Sequence, residues 1–205
     1  MNASDSVRSF IAITPPPDLR AKIATMLRRC KEATRDRSVS WVREENLHIT
    51  LRFLGMLSRE TLDALRIQLE ERYSRVPAFG LRLHGIDFHP SLRRPRVLSL
   101  AVEAEGDRLA ALRAETNAAC DRVGLEQDPK PFRAHLTLAR FRSRAARDKS
   151  RGQPGVPRTL ADLLTEHEKS TAGEFRVESV SLFESTLTGT GPVYTCLKEF
   201  RFDAD

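Results

Sequence analysis

The chain of 205 residues is poor in cysteine, in long apolar runs and, near its most unusual stretches, in carboxylates. Its three cysteines, Cys30, Cys120 and Cys196, are odd in number and form no CxxC pair. That argues against a disulfide framework or a zinc–thiolate site. Each is expected instead as a small buried hydrophobe. No run of about 18 apolar residues exists, so no membrane-spanning helix and no membrane partner are expected. Near the start, the apolar stretch Phe10 to Ile13 is too short for a signal-peptide core, which leads us to expect a cytoplasmic protein.

What is present is ordinary in bulk. Hydrophobic residues make up 40% and charged residues 30%, enough for one sizeable domain or two small lobes sharing a core. The net charge of +6 is concentrated. Between Arg140 and Arg158 stand seven basic residues and one acid, a net charge equal to that of the whole chain. Two readings of this segment stay open. It can steer a polyanion such as a nucleic acid, or it is a solvated flexible loop over 142–158, rich in Gly, Pro and Ser.

Along the chain, Phe10 to Ile13 reads as a strand closed by Pro15, Pro16 and Pro17. A helix follows with Leu19, Ile23, Met26 and Leu27 on one stripe and Asp18 near its start. A strand over 47–54 leads to a second helix with Leu62, Leu65 and Leu69, capped by Ser58 or Thr61. A strand runs from Phe79. The pattern then restarts with a strand over 96–102, a helix ending near Gly124 and a strand over 134–141. A short helix over 159–168 and two closing strands, 175–185 and 194–202, complete it. The expected class is α+β: one bilobal domain over 1–205 whose lobes interleave, with approximate half-repeats 8–90 and 96–202. Each lobe is a mainly antiparallel sheet with outer helices.

Two stretches stand out, "NLHITLRFLG" from 46 and "FRAHLTLARF" from 132. Each carries a His-x-Thr, and the two histidines, His48 and His135, are 87 residues apart. Strand alternation puts Leu47, Ile49, Leu51 and Phe53 on one face and His48, Thr50 and Arg52 on the other. In the second copy Leu136 and Leu138 oppose His135 and Thr137. If the lobes pair symmetrically, the His-Thr faces meet across a central cleft. One imidazole there can take a proton from a nucleophile while the other gives one to a leaving oxygen. Threonine hydroxyls can hydrogen-bond the non-bridging oxygens of a phosphate. Such a site needs no metal and no cofactor. Which histidine is acid and which is base is not fixed by this reasoning.

"LHITL" and "AHLTLAR" resemble the paired His-x-Thr motifs of the two-histidine phosphoesterase superfamily. The blocks "RSFIAI", "WVREENLHITLRFLG", "FRAHLTLAR" and "LFESTLTGTGPVYTCLKEF" are similar, in order, to its RNA 2′,3′-cyclic phosphodiesterase branch, also named 2′-5′ RNA ligase. The resemblance implies metal-independent hydrolysis of RNA 2′,3′-cyclic phosphate ends to 2′-phosphates, with 2′-5′ ligation of tRNA halves also attributed to members. It implies His48 as proton donor, His135 as proton acceptor, and Thr50, Thr137 and Arg140 as phosphate contacts. Alternation by itself puts Arg140 on the apolar face unless the strand ends first. Ala134 and Ser99 depart from the usual proline and tryptophan, which bears on the base-binding surface.

Other residues are weighed beside these. His84 and His89 are five apart, which places them on opposite faces of a strand and speaks against a metal pair. His167 is expected exposed, and Trp41 is expected in packing. Phe10 and Tyr194 are candidates to line the cleft and stack on a base, with core packing equally open for Phe10. Gly189 and Gly191 read as turn residues. The expected partner is RNA bearing a cyclic phosphate end, tRNA fragments included, and the protein is expected to be a monomer. The alternatives are a two-histidine enzyme for a small nucleotide cyclic phosphate or a 2′-5′ oligonucleotide, and a non-catalytic basic RNA-binding module.

Overall fold

Residues 6–34, 39–91, 94–126, 131–141, 171–189 and 191–202 are described by a computed structural model. The expected loop over 142–158, the helix over 159–168 and His167 lie outside these residues. Among the described residues, three α-helices pack on one face of a sheet of nine strands.

The strands are β1 (Ser6–Ile13), β2 (Val39–Trp41), β3 (Ile49–Ser58), β4 (Phe79–His89), β5 (Val97–Ala104), β6 (His135–Phe141), β7 (Thr171–Val177), β8 (Ser179–Thr188) and β9 (Gly191–Arg201). Their order is β7-β4-β5-β6-β3-β1-β8-β9, with β2 added to β6 and every pairing antiparallel. The mainly antiparallel α+β class expected from sequence is therefore the observed one.

Helix α1 (Pro17–Thr34) starts at a proline, whose missing N–H is no loss at that position. It buries Leu19, Ile23, Leu27 and Cys30 at helical spacing. Helix α2 (Arg59–Tyr73) is capped by Ser58, whose hydroxyl accepts from the Thr61 amide at 3.1 Å. Its buried stripe Leu62, Leu65, Leu69 continues to Tyr73. Helix α3 (Arg108–Arg122) lies against α2, joined by Tyr73 Oη to Thr116 Oγ1 at 2.7 Å and by the Arg72–Glu115 ion pair at 2.8 Å. Trp41 packs against the core, as expected. Cys30 and Cys120 are buried, but Cys196 is exposed: it pairs with Phe183 across β8 and β9, away from the helices.

The middle of the sheet is its narrowest join. Strands β3 and β6 share the pair Ile49–Leu136. On one side lie β1, β8 and β9, on the other β5, β4 and β7. Strand β4 joins the side of the second motif and β8 the side of the first, so each half of the chain lends a strand to the other's motif.

The stretch 175–185, expected as one strand, is two. Strand β7 ends at Val177, β8 begins at Ser179, and they pair with β4 and β1 respectively. Flat, those positions would be about 29 Å apart, at ~4.8 Å per strand. The chain covers the distance with Glu178 alone, roughly 7 Å of backbone. The sheet must therefore be strongly curled.

Candidate active site

The two motif strands carry the same irregularity. On β3, Thr50 pairs with Ala12 of β1 and Arg52 with Ile11, so Leu51 has no partner of its own. On β6, Thr137 pairs with Ser99 of β5 and Ala139 with Leu98, so Leu138 is the extra residue. A bulge of this kind shifts side-chain alternation by one. Each bulged carbonyl is satisfied from outside the ladder. Leu51 O accepts from Arg113 Nη1, and Leu138 O accepts from the Val42 amide at 2.9 Å.

The shift corrects two expectations. Arg52, expected beside His48 and Thr50, is on the core face opposite Ile11 and 2% exposed. Its guanidinium donates to Asn117 Oδ1 at 2.8 Å and to Glu126 O at 2.6 Å. Phe53, expected on the apolar face, pairs with Phe10 on the open face and is 63% exposed. On β6 the same shift brings Arg140 onto the face of His135 and Thr137, since their partners Val97, Ser99 and Ala101 alternate regularly on β5. The parity that set Arg140 apart is thus removed.

The histidines are held alike. His48 Nδ1 lies 2.7 Å from Asn46 O, and His135 Nδ1 lies 2.8 Å from Arg133 O. A carbonyl can only accept, so each Nδ1 carries hydrogen and each Nε2 is left for chemistry. Asn46 ends a single 3₁₀ turn begun at Glu44, and its side chain donates to Pro192 O at 2.9 Å. It thereby ties the turn before His48 to the start of β9.

Their surroundings differ. His48 lies against Phe10 at 4.9 Å and edge-on to Tyr194 at 5.2 Å, with Phe183 stacked on Phe10 at 5.2 Å. Burial lowers the His48 pKa, the Asn46 carbonyl opposes this, and the charges of Arg140 and His135 lower it further. Arg140 and His135 therefore act on His48 from across the β3–β6 join. Burial pushes the Tyr194 hydroxyl up, so it remains a donor. Phe10, a candidate for base stacking, is 3% exposed; it floors the site beneath His48 and offers a base no free face.

His135 has polar company. The His89 ring is 6.0 Å away, and His89 Nε2 is 3.2 Å from Asp87 Oδ2, which Arg133 approaches at 3.7 Å. His84 and His89 are not on opposite faces. Gly85 is an extra residue in β4, its φ of +55° suiting glycine. The partners Glu103, Ala101, Ser99 and Val97 place Arg82, His84, Asp87 and His89 together on the open face. His84 is 3.7 Å from Glu103, apart from His89. Among the described residues no cluster of His, Cys, Asp and Glu is arranged to hold a metal ion. Ser99 is fully buried between Asp87 and Thr137, and its Oγ has no partner among the described residues.

Sequence reasoning missed Phe53, Asn46 and the Asp87–His89 pair. One signal was available: Arg140 fitted the family pattern but not strict alternation, and a bulge between Thr137 and Arg140 removes that conflict.

The chain belongs to the 2′-5′ RNA ligase superfamily, whose profile matches residues 15–188. A protein of Archaeoglobus fulgidus named RNA 2′,3′-cyclic phosphodiesterase is 33% identical over 197 residues, covering 95% of this chain and 100% of its own. A Thermus thermophilus protein of the same name is 34% identical, over 95% of this chain and 89% of its own. Among solved structures, one from Thermus thermophilus superposes with a TM-score of 0.73 at 26% identity, over 97% and 99% of the two chains. Escherichia coli LigT complexed with 3′-AMP gives a TM-score of 0.69 at 25% identity, over 96% and 98%.

Proposed function

We propose that this chain is an RNA 2′,3′-cyclic phosphodiesterase that opens the cyclic phosphate to a 2′-phosphate between His48 and His135. The observation that carries the reading is the matched pair of Nδ1–carbonyl bonds, which leaves both Nε2 atoms available for proton transfer. The names of the relatives support the same substrate.

The reaction runs as an exchange of two protons around phosphorus. A water oxygen bonds to phosphorus as its proton passes to His135 Nε2. The P–O3′ bond breaks as His48 Nε2 gives its proton to O3′, leaving a 3′-hydroxyl and a 2′-phosphate. Thr50 and Thr137 donate to the non-bridging oxygens, and the Arg140 cation balances their charge. His48 is held neutral in the free protein by burial and nearby positive charge. The anionic substrate reverses that field, so His48 takes up its proton as the phosphate binds. With a 5′-hydroxyl in place of water, the same step joins two RNA ends by a 2′-5′ bond. No metal or cofactor enters any step.

A cytoplasmic monomer acting on RNA ends, tRNA fragments included, completes the reading and rests on the sequence patterns. The mononucleotide held by Escherichia coli LigT favours a second reading, in which a small cyclic nucleotide is the substrate. The test is turnover of an RNA oligomer ending in a 2′,3′-cyclic phosphate, with excess EDTA. Wild type should release a 2′-phosphate, and His48→Ala and His135→Ala should each lose on the order of 10²-fold or more. Binding without turnover would replace the enzyme by an RNA-binding module.

A further inference from the structure

The ground beside the two histidines differs in kind. His48 stands among aromatic rings. Beyond His135 lie His89, at 6.0 Å between ring centres, then Asp87, and Arg133, whose carbonyl holds His135 Nδ1. Asp87 is the unexpected member, for a site that receives a polyanion gains nothing from a carboxylate on its open face. A carboxylate only accepts hydrogen bonds, so whatever meets it must donate. His89 Nε2 at 3.2 Å and Arg133 Nη2 at 3.7 Å both approach Asp87 Oδ2. Oδ1 has no partner among the described residues, and the side chain is half-exposed.

In a displacement at phosphorus the entering and leaving oxygens lie roughly in line. With His48 serving the leaving O3′, the entering oxygen comes from the side of His135. A water molecule needs nothing further there. The 5′-hydroxyl of a second RNA brings its ribose with it, and that ribose must lie on the ground beside His135. Resting on the proposed function, we infer that Asp87 and Arg133 form an acceptor subsite for RNA with a free 5′-hydroxyl. Asp87 Oδ1 accepts from the 2′-hydroxyl of its first nucleotide, and Arg133 meets the phosphate that follows. His89 is a positioning residue that, with Arg133, occupies Oδ2 and leaves Oδ1 to the ligand.

The bonds balance without a further reactant. The 5′-oxygen bonds to phosphorus as its proton passes to His135 Nε2. The P–O3′ bond breaks as the His48 Nε2 proton goes to O3′, giving a 2′-5′ diester and a 3′-hydroxyl. The sheet provides room for this acceptor. Thr137, Ser99 and Asp87 are in register across β6, β5 and β4. The carboxylate thus stands two strands, roughly 10 Å at ~4.8 Å per strand, from the threonine assigned to the phosphate. Ser99 between them is fully buried, so the ground there is low.

The test is a competition between water and two acceptors. The donor is an RNA oligomer ending in a 2′,3′-cyclic phosphate. One acceptor is a short RNA with a 5′-hydroxyl, and the other lacks only the 2′-hydroxyl of its first nucleotide. The readout is the ratio of 2′-5′-joined product to 2′-phosphate. In wild type the missing hydroxyl should lower that ratio by about tenfold or more, the worth of one hydrogen bond to a charged group. In Asp87→Ala the two acceptors should give equal ratios, and Asp87→Asn, which keeps an accepting oxygen without the charge, should fall between. Arg133→Ala should lower the ratio for both acceptors alike. Equal ratios in wild type, or undiminished discrimination in Asp87→Ala and Asp87→Asn, overturn the subsite. Hydrolysis by wild type with no joined product overturns the subsite and keeps the phosphodiesterase. Neither product from wild type overturns both.

Discussion

Leu51 and Leu138 occupy the same place in two strands: each is the unpaired residue that follows a threonine on the open face. Because of Leu51, the next residue, Arg52, is turned into the core. Arg52→Met therefore removes a buried cation and leaves Asn117 and the Glu126 carbonyl without their donor. The expected cost is about 2–4 kcal/mol, or roughly 5–15 °C in melting temperature for a chain of this size. Turnover per folded molecule should stay near wild type. A large loss of activity with unchanged melting would mean that Arg52 serves the site after all.

Acidification should act through His48. Its folded pKa is lowered from 6.5 by burial, so between that lower value and 6.5 the unfolded chain binds the extra proton. Stability from this group is present above about pH 6.5 and is lost as pH falls through the folded pKa. Melting temperatures from pH 8 to pH 5 should fall for wild type and fall less for His48→Gln. Parallel curves for the two proteins would refute the assignment.

Thr50→Val and Thr137→Val replace a hydroxyl by a methyl group on half-buried side chains at equivalent positions. If each hydroxyl meets one non-bridging oxygen, each variant should lose on the order of 10²-fold in kcat. The losses should be similar. A tenfold or larger disparity, or a change confined to KM, would show that one threonine does not face the phosphate.

Ser99→Ala tests a different kind of group. A buried hydroxyl with no partner among the described residues contributes little by staying. The substitution should be neutral or raise stability by up to about 1 kcal/mol, read as a small upward shift in melting temperature. A clear loss of stability would point to a partner for Ser99, such as an ordered water shared with Asp87 or Thr137.

The sequence was informative wherever a pattern is local. The leucine stripe of α2, its Ser58 cap and the alternation of His and Thr each follow from spacing alone. It failed wherever one residue changes register. Leu51, Gly85 and Leu138 each add a residue to a ladder, and nothing in a leucine announces a bulge. The fate of Arg52, Phe53 and His89 hung on those three positions. Glu178 is similar: a β7–β8 boundary that redirects the chain across the sheet looks, residue by residue, like uninterrupted strand.

That redirection has a mechanical meaning. The sheet is fastened at its centre by Ile49–Leu136 and again where Val177 passes through Glu178 into Ser179. A band pinned at its waist and joined at its rim resists opening like a hinge. The spacing of the two motif strands is then set by main chain, and the proposed mechanism would draw on that preset spacing instead of on closure of the protein around its guest.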